Sequence, residues 1–331
     1  MMNNMKLLIS VLVPCVAIFD WYLLDWLLPK IDARFLIYSE VNRMVYSGHR
    51  LLFENEKKDD IRCPSISLND VGTADEFYTN YILPRKPVRI ITGSLSALGW
   101  NMEKWTLPAL QATLGDRVVN VEKINSTSSF GHGSEKVDIS FTELVDLWQK
   151  SNSTEERYYM NLQRGESKRS MVPPLSLLST IFTLPSFFLS NPITAINLWM
   201  GKAEENGSSS MLHHDSGDNL YMLVAGKKTF RYFAPSDAFD LYTKGHVDYV
   251  SPSGNIRYAM PFLYSDPPHF SPINPLFPNL TTHPRFAAAT MATCELEAGD
   301  LLYLPGGWFH HVTSFGENIA VNVWATFLTE E

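Results

Sequence analysis

From Ile193 onward the chain falls into short apolar runs, "ITAINLWMG", "NLYMLVAG", "KKTFRYFAP", "TCELEAGDLLYLPGG", "FHHVTSF" and "IAVNVWATF". Glycine, proline or aspartate turns separate them. Runs of β-branched and aromatic residues at this spacing predict several antiparallel strands, which suggests a double-sheet jelly roll. The 20 prolines, the many aromatics and the lack of a long Ala/Glu/Lys tract point the same way. The expected class is therefore mainly β with flanking helices, folded as a double-stranded β-helix.

The helices are expected upstream. "SLNDVGTADEFYTNYILPRKPVRIITG" predicts a short strand, a helix opening between Thr73 and Glu76, two prolines and a strand. "NMEKWTLPALQATLGDRVVNVEK" predicts a helix and then a strand. "ISFTELVDLWQK" predicts an amphipathic helix with Phe141, Leu144, Val145 and Leu147 on its apolar face, and "RYYMNLQ" a strand. Residues 246–286 are rich in proline, serine and asparagine and are expected to loop over one mouth of the barrel. At 45% apolar and 19% charged, the 331-residue chain can bury a real core. Its net charge of −8 argues against a nucleic-acid partner held by bulk charge.

The first 30 residues differ from the rest. Lys6 precedes an uncharged run from Leu7 to Phe19, short for a membrane span but suited to a signal-peptide core. Cys15 and Ala17 stand at −3 and −1 of a possible cleavage site. Asp20 to Pro29 instead extends the run into an uncleaved anchor, with membrane contact through residues 7–28. Residues 31–62 follow as a helical linker. The sequons at Asn125, Asn152, Asn206 and Asn279 agree with entry into the secretory pathway, to the lumen or membrane of the endoplasmic reticulum. The alternative is a cytoplasmic protein with a buried N-terminal helix. Cys63 and Cys294 either pair in an oxidising lumen or remain two buried thiols.

Two double histidines stand beside the strand-like runs, in "MLHHDSGDNLYMLVAGKKTF" and "YLPGGWFHHVTS". Residues i and i+2 of a strand share a face, so His213 and Asp215 project together and His214 points away. Such a pair supplies two ligands to one metal. A third from a distant strand, His310 or His311, completes a two-histidine, one-carboxylate face of the kind that binds non-haem Fe(II). Alternation does not choose between His310 and His311. The two bystander histidines are expected outside the barrel, bonded to backbone or facing solvent. Trp199, Trp308 and Trp324 are expected to be packing aromatics.

"LWMG…HHDSGDNLYMLVAGKKTFRYFAPSD" and "LEAGDLLYLPGGWFHHVTSFGENIAVNVWATF" resemble the two halves of a Jumonji-C (JmjC) domain of the cupin superfamily, in its small hydroxylase form. The likeness runs from about Ser65 to Phe327. It implies a cupin-like jelly roll over residues 63–331, with a catalytic barrel at about 155–328. It also implies an oxygenase that uses Fe(II), 2-oxoglutarate and O2 and most often hydroxylates a protein or peptide side chain. Alternatives are demethylation, oxidation of an RNA nucleoside, or a non-catalytic scaffold. Position by position, the resemblance gives His213, Asp215 and His310 as iron ligands. It gives Lys228 as the partner of the distal 2-oxoglutarate carboxylate, with Tyr159, Ser210, Asn219 and Asn322 as further cosubstrate contacts. Ala325 stands where relatives often carry an aromatic, which bears on the substrate mouth.

Overall fold

The computed structural model describes residues 61–125, 134–150, 156–161, 174–188, 192–203, 205–251, 253–259 and 267–326. All of them lie in one compact unit, Gly48–Glu331. The expected signal or anchor, nearly all of the linker, and the sequon at Asn152 lie outside the described residues. Among the described residues, no helix is long and apolar enough to cross a membrane.

Along the chain come β1 (Ile61–Arg62), β2 (Ser65–Ser67) and the helix α1 (Ala74–Phe77). Thr73 and Glu76 form a reciprocal capping box at the start of α1, which then runs into a π-turn over Tyr78–Ile82. Then follow β3 (Val88–Ile91), α2 (Leu107–Leu114), β4 (Val118–Asn125), β5 (Glu135–Ser140), α3 (Phe141–Lys150) and β6 (Glu156–Met160). Helix α2 opens on the Thr106 side chain, with Pro108 in its first turn. Helix α3 buries Phe141, Leu144, Val145 and Trp148, an i, i+3, i+4, i+7 stripe. Trp148 takes the place expected for Leu147, which is only half-buried.

The later strands are β7 (Ile193–Lys202), β8 (Ser208–Ser209), β9 (Leu212–His214), β10 (Asp218–Phe233), β11 (Val247–Val250), β12 (Ile256–Tyr258), β13 (Phe270–Ser271), β14 (Met291–Glu297), β15 (Leu301–Leu304) and β16 (Phe309–Ala325), of which β11 and β12 form a separate pair. The central sheet runs β2-β3-β15-β10-β16-β7-β6-β4-β5. The expected fold class is the observed one, mostly strand and jelly-roll in arrangement.

The long strands β10 and β16 correct the sequence reading. "NLYMLVAG" and "KKTFRYFAP" are not two arms about a turn but one 16-residue strand, and "FHHVTSF" and "IAVNVWATF" are one strand of 17. Gly226 is a bulge, not a turn. Its φ is +85°, the register with β16 slips between Leu223 and Lys227, and any Cβ there would overlap the Glu317 carbonyl. The bend lets β10 change partners, from β15 at Asn219–Met222 to β14 at Lys227–Phe233. Strand β16 likewise serves β8 and β9 with one half and β7 with the other. Strands that cross from sheet to sheet in this way close the barrel.

Alternation divides the core. Leu220, Met222 and Val224 of β10 join the cluster built on the flanking helices, with Phe77, Trp105, Leu110 and Leu144. Tyr221, Leu223, Phe230 and Tyr232 join a second cluster with Cys294, Leu296, Leu302 and Trp308. Beside it, β1 runs parallel to β14, and a Cys63–Cys294 disulfide ties the two. Within residues 246–286, β11 pairs with β12, and β13 adds to the edge of β9.

Candidate active site

Strand β9 ends at His214, so Asp215 lies just past it, not on it. The convergence expected from strand alternation survives, because the strand register sets the other half of the site. His213 of β9 stands directly opposite His310 of β16, with ring centroids 4.4 Å apart. Asp215 Oδ2 lies 3.8 Å from His310 Nε2. One donor atom from each of His213, Asp215 and His310 lies within 4.8 Å of the others.

Each ring is oriented from behind. His213 Nδ1 sits 2.8 Å from the Met211 carbonyl and His310 Nδ1 3.1 Å from that of Trp308. Only a protonated Nδ1 satisfies a carbonyl, so both Nε2 lone pairs are left for a shared ligand. Burial, followed by the neighbouring His310, pushes His213 down to about 4 and keeps it in the neutral, ligating form. Two imidazoles and a carboxylate suit a divalent first-row transition metal. The donor set therefore fits iron.

The bystander histidines do not lie in solvent or on backbone alone. His214 is buried, its Nε2 is 2.7 Å from the Tyr258 hydroxyl, and burial pushes it down to about 3. Its backbone amide donates to the His269 carbonyl. Tyr258 and His269 pack onto the back of the metal strand and enclose the ring that alternation turns outward. His311 stands opposite Arg231 and is 3% exposed. Burial, then the Arg231 charge, pushes it down to about 4.

Lys228 is 1% exposed and points into the same cavity, while Lys227 is exposed, 4.0 Å from Glu295. Lys228 Nζ donates to the Tyr159 hydroxyl at 3.0 Å, between the rings of Tyr159 and Tyr221. Among the described residues, no carboxylate pairs with it. Burial pushes its amine down to about 7. Burial, with the Glu122 charge adding to it, pushes Tyr159 up, so its hydroxyl stays protonated. A buried amine with which none of the described carboxylates pairs fits an incoming carboxylate.

Three strands bring the remaining polar contacts together. Asn322 Nδ2 donates to Asn219 Oδ1 at 2.9 Å, and Asn322 Oδ1 accepts from Asn197 Nδ2 and Trp199 Nε1. This fixes the Asn219 amide at the cavity wall. Ser210 Oγ accepts the Val312 amide at 3.1 Å and keeps its own proton for the cavity. The cavity holds about 460 Å³, within the usual range for small-molecule sites. All eight expected site residues line it.

Sequence reading missed several of its neighbours. Trp199 and Trp324 are cavity walls, not packing alone, and only Trp308 lies in the core. Phe270 stacks on His213 at 5.0 Å, and His269 stands beside it, both brought in by β13. Nothing in the sequence marked β13, a strand of two residues. Gly201, directly opposite Tyr159, has no Cβ because one would overlap the tyrosine ring. Alternation puts Asn197 and Trp199 on one face of β7, but only the register with β16 sets that face against Asn322.

A cupin-like domain model matches residues 74–326. The human bifunctional peptidase and (3S)-lysyl hydroxylase JMJD7 is 28% identical over 270 residues, 78% of this chain and 82% of its own. The JmjC domain-containing protein 4 of Schizosaccharomyces pombe is 34% identical over 209 residues, 58% of this chain and 43% of that one. Human tRNA wybutosine-synthesizing protein 5 is 26% identical over 273 residues, 78% of each chain.

Proposed function

Since the chain belongs to the cupin-like domain family, we propose that it is an Fe(II)- and 2-oxoglutarate-dependent oxygenase that hydroxylates a side chain on a protein or peptide. One observation carries the reading: the His213–Asp215–His310 triad shares its cavity with a buried Lys228 with which, among the described residues, no carboxylate pairs. A scaffold that had lost catalysis has no use for both.

Iron and 2-oxoglutarate, once bound, would supply the activation of O2, with the cosubstrate ending as succinate and CO2. The protein's share is positioning. His213 and His310 offer Nε2, and Asp215 offers one charged oxygen. Lys228 neutralises the far carboxylate, with the Tyr159 hydroxyl as a second donor, and the Ser210 hydroxyl and Asn219 amide line the walls between. Phe230, Phe270 and the tryptophans shield the site from bulk water.

A protein substrate is supported by the name of the human lysyl hydroxylase among the relatives. A nucleoside substrate has a relative too, the wybutosine-synthesizing protein, but the net charge of −8 weighs against an RNA partner. The Cys63–Cys294 bridge favours an oxidising compartment and hence the secretory pathway. The test is purified protein with Fe(II), 2-oxoglutarate and peptide libraries, read by succinate release and by the mass gain of one oxygen. Metal binding without any turnover of 2-oxoglutarate would favour the scaffold instead.

A further inference from the structure

Arg85 is remote in sequence from every residue assigned above. It lies in "LPRKP", after the π-turn, with φ +58° in the left-handed region that non-glycine residues rarely hold. It is nevertheless 3% exposed. Its guanidinium sits 2.6 Å from Asp218 Oδ1 and donates from Nη2 to the Gly306 carbonyl at 3.1 Å. Asp218 accepts twice more, from the Gly306 amide at 2.9 Å and the Tyr303 hydroxyl at 2.8 Å.

These partners are the roots of the two ligand-bearing segments. Asp218 opens β10, three residues after Asp215. Gly306 and Gly307 form the turn that leads into β16 and His310, and the Gly307 amide donates to the Asp215 carbonyl at 2.7 Å. The turn sits so close that a Cβ on Gly306 would come within 2.6 Å of the Ser216 carbonyl. A fork from outside the barrel thus spans both segments at their closest approach.

We propose that Arg85 is a positioning residue for the metal centre: through Asp218 and Gly306 it sets the separation of Asp215 from His310. This rests on the metal reading above. A lysine cannot replace it, because one ammonium has no planar fork to hold a carboxylate and a carbonyl together.

The test uses Co(II) binding to the metal-free full chain, read by titration and by the absorption spectrum of the bound ion, beside thermal unfolding. Arg85→Lys is expected to fold, to bind Co(II) about tenfold more weakly, and to show an altered spectrum, an effect of the size produced by outer partners of metal ligands. The double variant Arg85→Leu/Asp218→Asn removes both buried charges together and should show the same loss. Arg89→Lys is the control. Arg89 also anchors the flanking region to the barrel, 2.6 Å from Asp300, but away from the ligands. It should lower stability and leave Co(II) affinity unchanged. Wild-type affinity and spectrum in folded Arg85→Lys would overturn the proposal. So would an Arg85→Lys chain that does not fold while Arg89→Lys does, since Arg85 would then be a folding residue only. His213→Ala separates the two ideas: if it binds Co(II) like wild type, the metal reading itself is wrong.

Discussion

His213 and His310 lie 97 positions apart in the sequence and directly opposite each other on neighbouring strands, rings 4.4 Å apart. Their Nδ1 atoms are held by carbonyls just ahead of their own strands, which leaves both Nε2 atoms for a ligand shared with Asp215. Replacing His213, Asp215 or His310 with alanine is expected to weaken Fe(II) binding by about 100-fold or more, beyond the loss typical of an outer partner. His214→Gln and His311→Gln should keep most of it, because those rings lie on the other strand face. Equilibrium dialysis of the five variants checks this. A loss in His311→Gln with retention in His310→Gln contradicts the register.

Lys228 and Lys227 make the same point at the other end of the cavity. Lys228→Ala removes a charge-assisted contact worth about 1.5–3 kcal/mol, so the KM for 2-oxoglutarate should rise roughly 10- to 100-fold. Lys227→Ala should leave it unchanged. The reaction also carries a pH signature. Lys228 is protonated in the empty cavity only below about pH 7, against 10.5 for a free lysine. Above pH 7, binding the dianion must therefore take up a proton. Affinity for 2-oxoglutarate should weaken by up to tenfold per pH unit, and calorimetry in buffers of different ionisation enthalpy should detect the uptake. Binding that is flat from pH 7 to 9 would contradict an amine lowered to about 7 in the empty cavity.

Much of the site was legible because strand periodicity is a strong local signal. It puts His213 on one face with Asp215 and His214 on the other, and sets Lys227 and Lys228 on opposite faces; that Lys228 is the inward one came from the family resemblance. Periodicity failed where the outcome depends on what lies across a strand. The choice of His310 over His311 needed its register against His213, which alternation alone does not contain. Gly226 and Gly316 read as turns because a glycine inside an apolar run gives the same local signal in a bulge as in a hairpin. The burial of His214 was hidden because its cover, Tyr258, comes from a segment whose proline-rich composition suggests an exposed loop. The role of Arg85 was invisible because no local pattern marks a residue whose partners begin 133 positions later, at Asp218.

Gly201 and Tyr159 are cross-strand partners in which one side chain occupies the space of both. Gly201→Ala should cost about 1–3 kcal/mol from overpacking and displace the ring that supports Lys228. The 2-oxoglutarate KM should rise with it. In a Tyr159→Ala background the same substitution should cost much less, because the overlap is gone. Equal costs in the two backgrounds would place the strain elsewhere.

The Cys63–Cys294 bridge, just past the two-residue β1, fastens it to β14, and its cysteines are 231 positions apart. Replacing both with serine is expected to lower stability by about 2–4 kcal/mol. Cys294 lies opposite Phe230, a cavity wall, and not among the expected ligands. Fe(II) affinity in the folded protein should therefore persist. Denaturant midpoints with and without reductant should differ for the wild type and coincide for the double serine variant.

Acid should unfold the metal-free protein early, for a reason that can be assigned. Burial pushes His214 down to about 3 and His311 to about 4, against 6.5 for a free histidine. Below pH 6.5 the unfolded chain takes protons that these folded rings refuse, so the unfolded state gains stability as pH falls. Stability should be full above about pH 6.5, decline as pH drops toward 4, and level off for these groups once they protonate in the folded state as well. Replacing both histidines with glutamine removes two of the titrating rings and should flatten that slope, whatever it does to stability at neutral pH. His213, pushed down to about 4, adds to the slope, and a bound metal keeps protons off that ring still more strongly, so saturating Fe(II) under anaerobic conditions should raise stability near neutrality and steepen its loss as pH falls. Chemical denaturation at half-unit steps from pH 4 to 7 would reveal the slope. Wild-type stability that stays constant over that range would refute the assignment of neutral buried histidines.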